Sequence, residues 1–164
     1  PNPASTVFYR DAGRAAAQVF DLDVWPNGRF TTATLVGTRP GGAVAAAWAV
    51  LTFLGREGYM AIAERMLAMR DAYVAGIEAI PGLRLHSPPD LSILAFGTPE
   101  KDMNSVANGM QARGWVPGMT REPPGLHLMM SLLHEPARPA YLRDLAAAVA
   151  EAAPARGAAV RAVY

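Results

Sequence analysis

The chain has 164 residues, 51% of them hydrophobic, enough to bury a sizeable core. Its formal net charge of +1 and pI near 8.7, with arginine as almost the only cation, exclude the basic face of a nucleic-acid binder. The absence of cysteine excludes disulfides, thiolate metal sites and a cysteine nucleophile, and fits a cytoplasmic protein. Charged residues make up 18% of the chain, below the usual share of roughly a quarter, so part of the surface is suited to lie against another subunit or domain. The chain starts at Pro1 without methionine and ends at Tyr164 just after a loop-like stretch, and it reads as a segment of a longer protein.

In chain order, the β-branched and aromatic residues 6–9 predict a strand and residues 11–20 a helix, despite Gly13. Residues 21–42, rich in glycine, proline and threonine, predict irregular backbone, and a loop of that length is usually functional. Val44, Trp48, Leu51 and Leu54 recur at helical spacing among alanines, which predicts a buried helix over 43–54. That run is too short to span a bilayer. Ile62, Met66, Met69, Tyr73 and Ile77 step by three and four, predicting a long amphipathic helix over 58–80 that Pro81-Gly82 stops. Short strands follow at 83–86 and 91–96, then a helix at 102–113 with Asp102 as N-cap and Gly114 as its stop. A strand at 126–133 and a helix at 138–153 complete an α/β chain whose second half reads as a small α+β domain.

Gly37-Thr38-Arg39-Pro40-Gly41-Gly42, directly before a helix, could bring backbone N–H groups up to an anion, with Arg39 assisting; the alternative is a tight turn with a solvated arginine. Of the three histidines, His127 lies within an apolar strand, while His86 and His134 end strands. No carboxylate stands at metal-ligand spacing from any of them, so packed or hydrogen-bonded histidines are preferred to a metal site. Most of the methionines read as core fillers rather than a lipid tunnel. Asp21 and Asp23 read as solvated acids of a loop.

Trp25-Pro26-Asn27-Gly28, the glycine-rich segment 37–42, Trp48 and Gly55-Arg56-Glu57-Gly58-Tyr59 form an ordered string that resembles the sphingosine-1-phosphate lyase family. The likeness runs on through residues 91–97, Arg113-Gly114-Trp115, Leu126-His127 and Leu132-Leu133-His134, and residues 3–10 are similar to the segment just after that family's cofactor lysine. The resemblance implies the C-terminal portion of a fold-type-I pyridoxal 5'-phosphate (PLP) enzyme. Residues 1–57 would be the end of the large cofactor domain and residues 58–164 the small domain.

It further implies an obligate homodimer in which Gly37, Thr38, Arg39, Gly41 and Gly42 of one copy approach the cofactor phosphate of the other. The cofactor lysine would lie a few residues before Pro1, in an N-terminal portion that this chain lacks; the one lysine present, Lys101, sits in a loop. Asn2 stands where the family has a lysine beside the substrate phosphate, and Tyr164 aligns with an active-site tyrosine, implying a catalytic role. His127 occupies the strand where related enzymes place an arginine for a substrate carboxylate, implying a substrate-binding residue for a ligand without one. The implied reaction is cleavage of a phosphorylated long-chain amino alcohol, a phospholipid-derived substrate, to a fatty aldehyde and phosphoethanolamine. The competing readings are a PLP-dependent amino-acid decarboxylase and a non-catalytic remnant that serves in dimerisation or binding.

Overall fold

The computed structural model describes residues 6–34 and 37–155. The chain divides into two compact units, Pro1–Gly58 and Tyr59–Tyr164.

In the first unit, helix α1 (Ala12–Ala16) is capped by Asp11, whose side chain accepts the Arg14 N–H at 2.9 Å. The helix is shorter than its sequence predicts because Phe20 belongs to a hairpin. Strands β1 (Phe20–Leu22) and β2 (Phe30–Thr32) pair antiparallel, with Phe20 opposite Thr32. Within the turn between them, the Gly28 N–H donates to the Trp25 carbonyl at 2.9 Å, and Gly28 takes φ 105°, open to glycine at little cost. This hairpin replaces part of the irregular stretch expected over 21–42. Asp21 is correspondingly not a bare solvated acid. It accepts Arg29 Nε at 2.8 Å, a second bond from Arg29 Nη2, and the Thr31 hydroxyl at 2.8 Å. The Arg29 guanidinium first, and then Thr31, hold its carboxyl below the usual carboxylate range.

The strand expected at 6–9 is absent: those residues have no regular structure, and Val7 and Phe8 are exposed. A β-prone run forms a strand only where another strand offers it hydrogen bonds.

Helix α2 (Gly41–Glu78) is interrupted by a kink at Gly55, whose φ of 57° and ψ of −171° suit glycine alone. The segment expected as a buried helix over 43–54 is helical but not buried. Trp48 is 68% and Phe53 88% exposed, and among the described residues of the first unit none is buried.

The second unit holds the core. Strands β3 (Arg84–Leu85), β4 (Ile93–Gly97), β5 (Gly118–Arg121) and β6 (Pro124–Met129) form an antiparallel sheet in the order β3-β4-β6-β5. Strand β5, which falls between the predicted elements, pairs with β6 through a tight hairpin. Helix α3 (Met103–Ala112) starts at Asp102, whose carboxylate accepts the Asn104 N–H at 2.9 Å, and stops before Gly114 at φ 87°, as its sequence predicts. A 3-10 turn at Leu132–His134 ends the expected strand early, and helix α4 (Arg138–Glu151) follows.

Alternation in the central strands decides the faces. Leu94, Phe96 and Leu126 turn inward and pack with Met69, Tyr73 and Ile77 of α2, Val106 and Met110 of α3, and Tyr141 and Leu145 of α4. Four methionines (Met69, Met103, Met110 and Met130) are buried there, in keeping with their role as core fillers. Tyr73 donates its hydroxyl to the His134 carbonyl at 2.9 Å, tying α2 to the turn before α4. The Trp115 indole N–H donates to Asp144 Oδ2 at 2.9 Å, while its ring meets Tyr141 edge-on.

Leu126→Ala, at a fully buried position on the central strand, is expected to lower unfolding free energy by about 2–5 kcal/mol in urea denaturation. Asp144 makes a second prediction. Its carboxyl is held below the ordinary 3.8, chiefly by the Trp115 bond, so its contribution to stability is complete above that value and is lost as pH falls through the depressed one. In a Trp25→Phe/Trp48→Phe background, Trp115 fluorescence should change with a midpoint below 3.8, and Asp144→Asn should remove the transition. A midpoint at or above 3.8 would contradict the assignment.

Candidate functional site

The segment from Gly37 to Gly42 leads from the β1–β2 hairpin into α2. Residues 37–40 have no regular structure and are exposed, and the helix begins at Gly41. A Cβ added at Gly37, Gly41 or Gly42 would meet nothing within 4 Å, so the backbone is open to a ligand on that side. The Ala43 N–H already donates to the Pro40 carbonyl at 3.2 Å, whereas the N–H groups of Gly41 and Gly42 stand in the first turn, ahead of any carbonyl of their own helix. Arg39 Nη1 donates to the Gly37 carbonyl at 2.9 Å, which folds the guanidinium back over the loop.

Together with the Thr38 hydroxyl, this donor set suits a phosphate: backbone N–H groups, a helix start and a guanidinium, with no carboxylate in the segment. Gly37 also lines a cleft of about 560 Å³ with Phe20, Phe30, Thr32 and Gln18. Gln18 Nε2 bonds the Ala33 carbonyl at 2.6 Å and so steadies the cleft's rim. Sequence reading missed the aromatic wall because it follows from the hairpin register, which places Phe20 and Phe30 with their rings 6.3 Å apart.

His127 belongs to the second unit. It pairs with Ala95 of β4 on one side and Gly118 of β5 on the other, and it faces away from the core that Leu126 and Leu128 join. The imidazole lies across Gly118: a Cβ there would stand 2.4 Å from Cε1. Gly118 is therefore part of the placement of His127. Nothing in its local sequence marks it, because only the strand register brings the two together. Ile93 and Met129 share this outer face and are 60% and 68% exposed, so the histidine stands among small and apolar neighbours on an open sheet surface.

The other assignments are dispersed. Asn2 and Tyr164 lie outside the described residues. Lys101, in a bridge beside Pro154, donates Nζ to the Ala152 carbonyl at 3.1 Å and so belongs to the end of α4. The His134 ring accepts the Ser131 N–H at 3.0 Å and caps the 3-10 turn. Among the described residues, no group of three or more histidine or acidic side chains is placed to hold a metal ion.

No family model matches the sequence. The chain is 33% identical over 145 residues to a sphingosine-1-phosphate lyase of Oryza sativa subsp. japonica, covering 88% of this chain and 27% of the relative. It is 34% identical over 115 residues to a probable L-aspartate decarboxylase of Pyrococcus furiosus, covering 70% of this chain and 30% of that protein. The solved sphingosine-1-phosphate lyase of Burkholderia pseudomallei superposes with a TM-score of 0.79 at 33% identity, over 88% of this chain and 33% of that one. Glycine decarboxylase and the Lactobacillus brevis glutamate decarboxylase, at 20% and 12% identity and TM-scores of 0.60, share the fold. The chain thus spans about a quarter to a third of the proteins it matches. Over the 88% that aligns, it is homologous to part of sphingosine-1-phosphate lyase and folds as fold-type-I PLP enzymes do.

Proposed function

We propose that this chain supplies one portion of a PLP-dependent carbon–carbon lyase. The enzyme cleaves a phosphorylated long-chain amino alcohol of the sphingosine 1-phosphate type to a fatty aldehyde and phosphoethanolamine. The observation that carries this reading is the joint sequence and structural likeness to sphingosine-1-phosphate lyases across 88% of the chain.

Residues 1–57 are the end of the cofactor domain and residues 58–164 the small domain. The N–H groups of Gly41 and Gly42, the Thr38 hydroxyl and the Arg39 guanidinium hold the phosphate of PLP, whose size and charge fit the open, carboxylate-free segment. When bound, PLP supplies an electron sink for the pair released as the Cα–Cβ bond breaks. His127 faces the substrate from the small-domain sheet, with Gly118 fixing the ring's position. An imidazole there serves a substrate without a free carboxylate, for which an arginine would be the better partner. In this reading Asn2 serves substrate-phosphate recognition and Tyr164 catalysis. The cofactor lysine then belongs to the portion of the enzyme outside this chain, and Lys101, the one lysine here, sits beside the end of α4. The exposed Val44, Trp48, Leu51 and Phe53 on α2 support a homodimer in which a second copy covers them.

The decarboxylase reading retains one specific observation in its favour, the 34% identity to the probable aspartate decarboxylase over 70% of the chain. The two are separated by product. Incubated with sphingosine 1-phosphate or with aspartate, the full-length enzyme is expected to release long-chain aldehyde from the first and no CO2 from the second. CO2 without aldehyde would reverse the assignment. Arg39→Ala is expected to weaken PLP binding by about tenfold, read from cofactor absorbance during dialysis. Unchanged retention would remove Arg39 from the site. His127→Ala is expected to raise KM by about tenfold with little change in melting temperature. Gly118→Ala should act in the same direction by displacing the ring. An unaltered KM in both variants would exclude His127 from substrate contact.

A further inference from the structure

At the opposite end of β6 from the apolar pair Ile93 and Met129, the second unit carries a cleft of about 980 Å³. It spans the sheet from edge to edge: Arg84 comes from edge strand β3 and Arg121 from edge strand β5, with Lys101 and Asp102 at the entry to α3. Three cationic side chains against one carboxylate leave the lining with an excess of two positive charges. Asp102 already spends Oδ1 on the Asn104 backbone N–H at 2.9 Å and on its side-chain amide at 3.2 Å.

The cations keep donors in reserve. Lys101 uses one bond, to the Ala152 carbonyl, and Arg84 uses Nη1 on the Leu83 carbonyl at 2.5 Å. Arg121 forms no ion pair among the described residues.

His86 lines the same cleft, on a floor of glycine. A Cβ at Gly97 would stand 3.0 Å from its Cε1, and one at Gly125 would stand 2.3 Å from its Nε2 and 2.4 Å from the Phe96 carbonyl oxygen. The backbone of His86 is fixed by donation to the Ala95 carbonyl at 2.8 Å. Its Nε2, however, is buried and has no hydrogen-bond partner among the described residues. The nearby Thr120 hydroxyl donates to the Pro123 carbonyl at 2.8 Å, so its proton is directed away from the ring. The buried nitrogen faces the glycine floor, and an anion placed among Arg84, Lys101 and Arg121 would balance the local charge above it.

We propose that this cleft is a second anion site, built for a phosphate group and separate from the glycine segment 37–42. The excess of two positive charges matches a phosphate dianion better than a single carboxylate. Guanidinium groups from opposite edges of the sheet can each offer it two N–H bonds, and the Lys101 ammonium adds a third cation. The site stands on residues of the second unit alone and does not depend on the lyase reading.

The test is a titration of the isotope-labelled full chain with inorganic phosphate, and separately with methyl phosphate, at constant ionic strength. The His86 imidazole and the backbone amides of residues 97–104 and 118–125 are followed by NMR. Saturable shifts of these groups are expected, with their affinity reduced about tenfold by Arg121→Gln and unchanged by Arg39→Ala. Tighter binding of methyl phosphate assigns the site to a phosphate ester, and tighter binding of inorganic phosphate assigns it to the free ion. Shifts that fail to saturate, that sodium chloride reproduces, or that persist at full affinity in a folded Arg121→Gln chain overturn the proposal. Arg84→Gln provides the same comparison should Arg121→Gln fail to fold.

Discussion

The register between β4 and β6 is the constraint on which the second unit depends. With Leu94 opposite Leu128 and Phe96 opposite Leu126, one face of the sheet becomes a continuous apolar layer for α2, α3 and α4. The same pairing sets Ala95 beside His127 on the other face. A slip of one residue would carry His127 into the core and expel Leu126, exchanging a well-packed apolar layer for a buried imidazole. The core and the histidine's outward placement are therefore one decision. Glycines at 97, 118 and 125 complete it, because they let two imidazoles lie flat on a sheet that ordinary side chains would have filled.

The two units differ in how they are held. Residues 59–155 have a closed apolar core, fixed further by Tyr73 on the His134 carbonyl, Trp115 on Asp144 and Arg113 on Glu151 at 2.6 Å. The first unit has no buried residue among those described, although it carries Phe20, Phe30, Trp48 and Phe53. Its local order comes from the Asp21–Arg29–Thr31 cluster, the aromatic contacts of the hairpin and the hydrogen bonds of α2. Such surface is what a chain presents when its apolar side chains are meant for a larger assembly. That accords with a segment spanning 27% of its lyase relatives.

The two proposed sites divide along the same line. The glycine segment offers backbone donors from a part of the chain that has no core of its own, while His127 projects from a sheet whose register is enforced by burial. The first arrangement suits a loop that meets a phosphate through main-chain groups, which need no particular side chain. The second suits a ring whose position must be reproducible, and packing supplies that.

Much of this was legible in the sequence. Apolar residues at steps of three and four marked the second part of α2, Asp102 and Gly114 marked both ends of α3, and short apolar runs marked the places of β4 and β6, because each of these patterns acts over a few neighbouring residues. The glycine segment and His127 could be singled out for the same reason: residue type and local position mark them. Tertiary structure alone decided the rest. Residues 6–9 have strand propensity but no partner, whereas the short runs at 20–22 and 30–32 become strands because they have each other. The run 43–54 is apolar enough for a core, yet no core forms around it in this chain. Gly118 beneath His127, and Arg84, His86 and Arg121 around one cleft, are joined across strands far apart in sequence. Local spacing records propensity and periodicity, while burial and cross-strand contact depend on which distant segments meet, and that is settled only when the sheet closes on its helices.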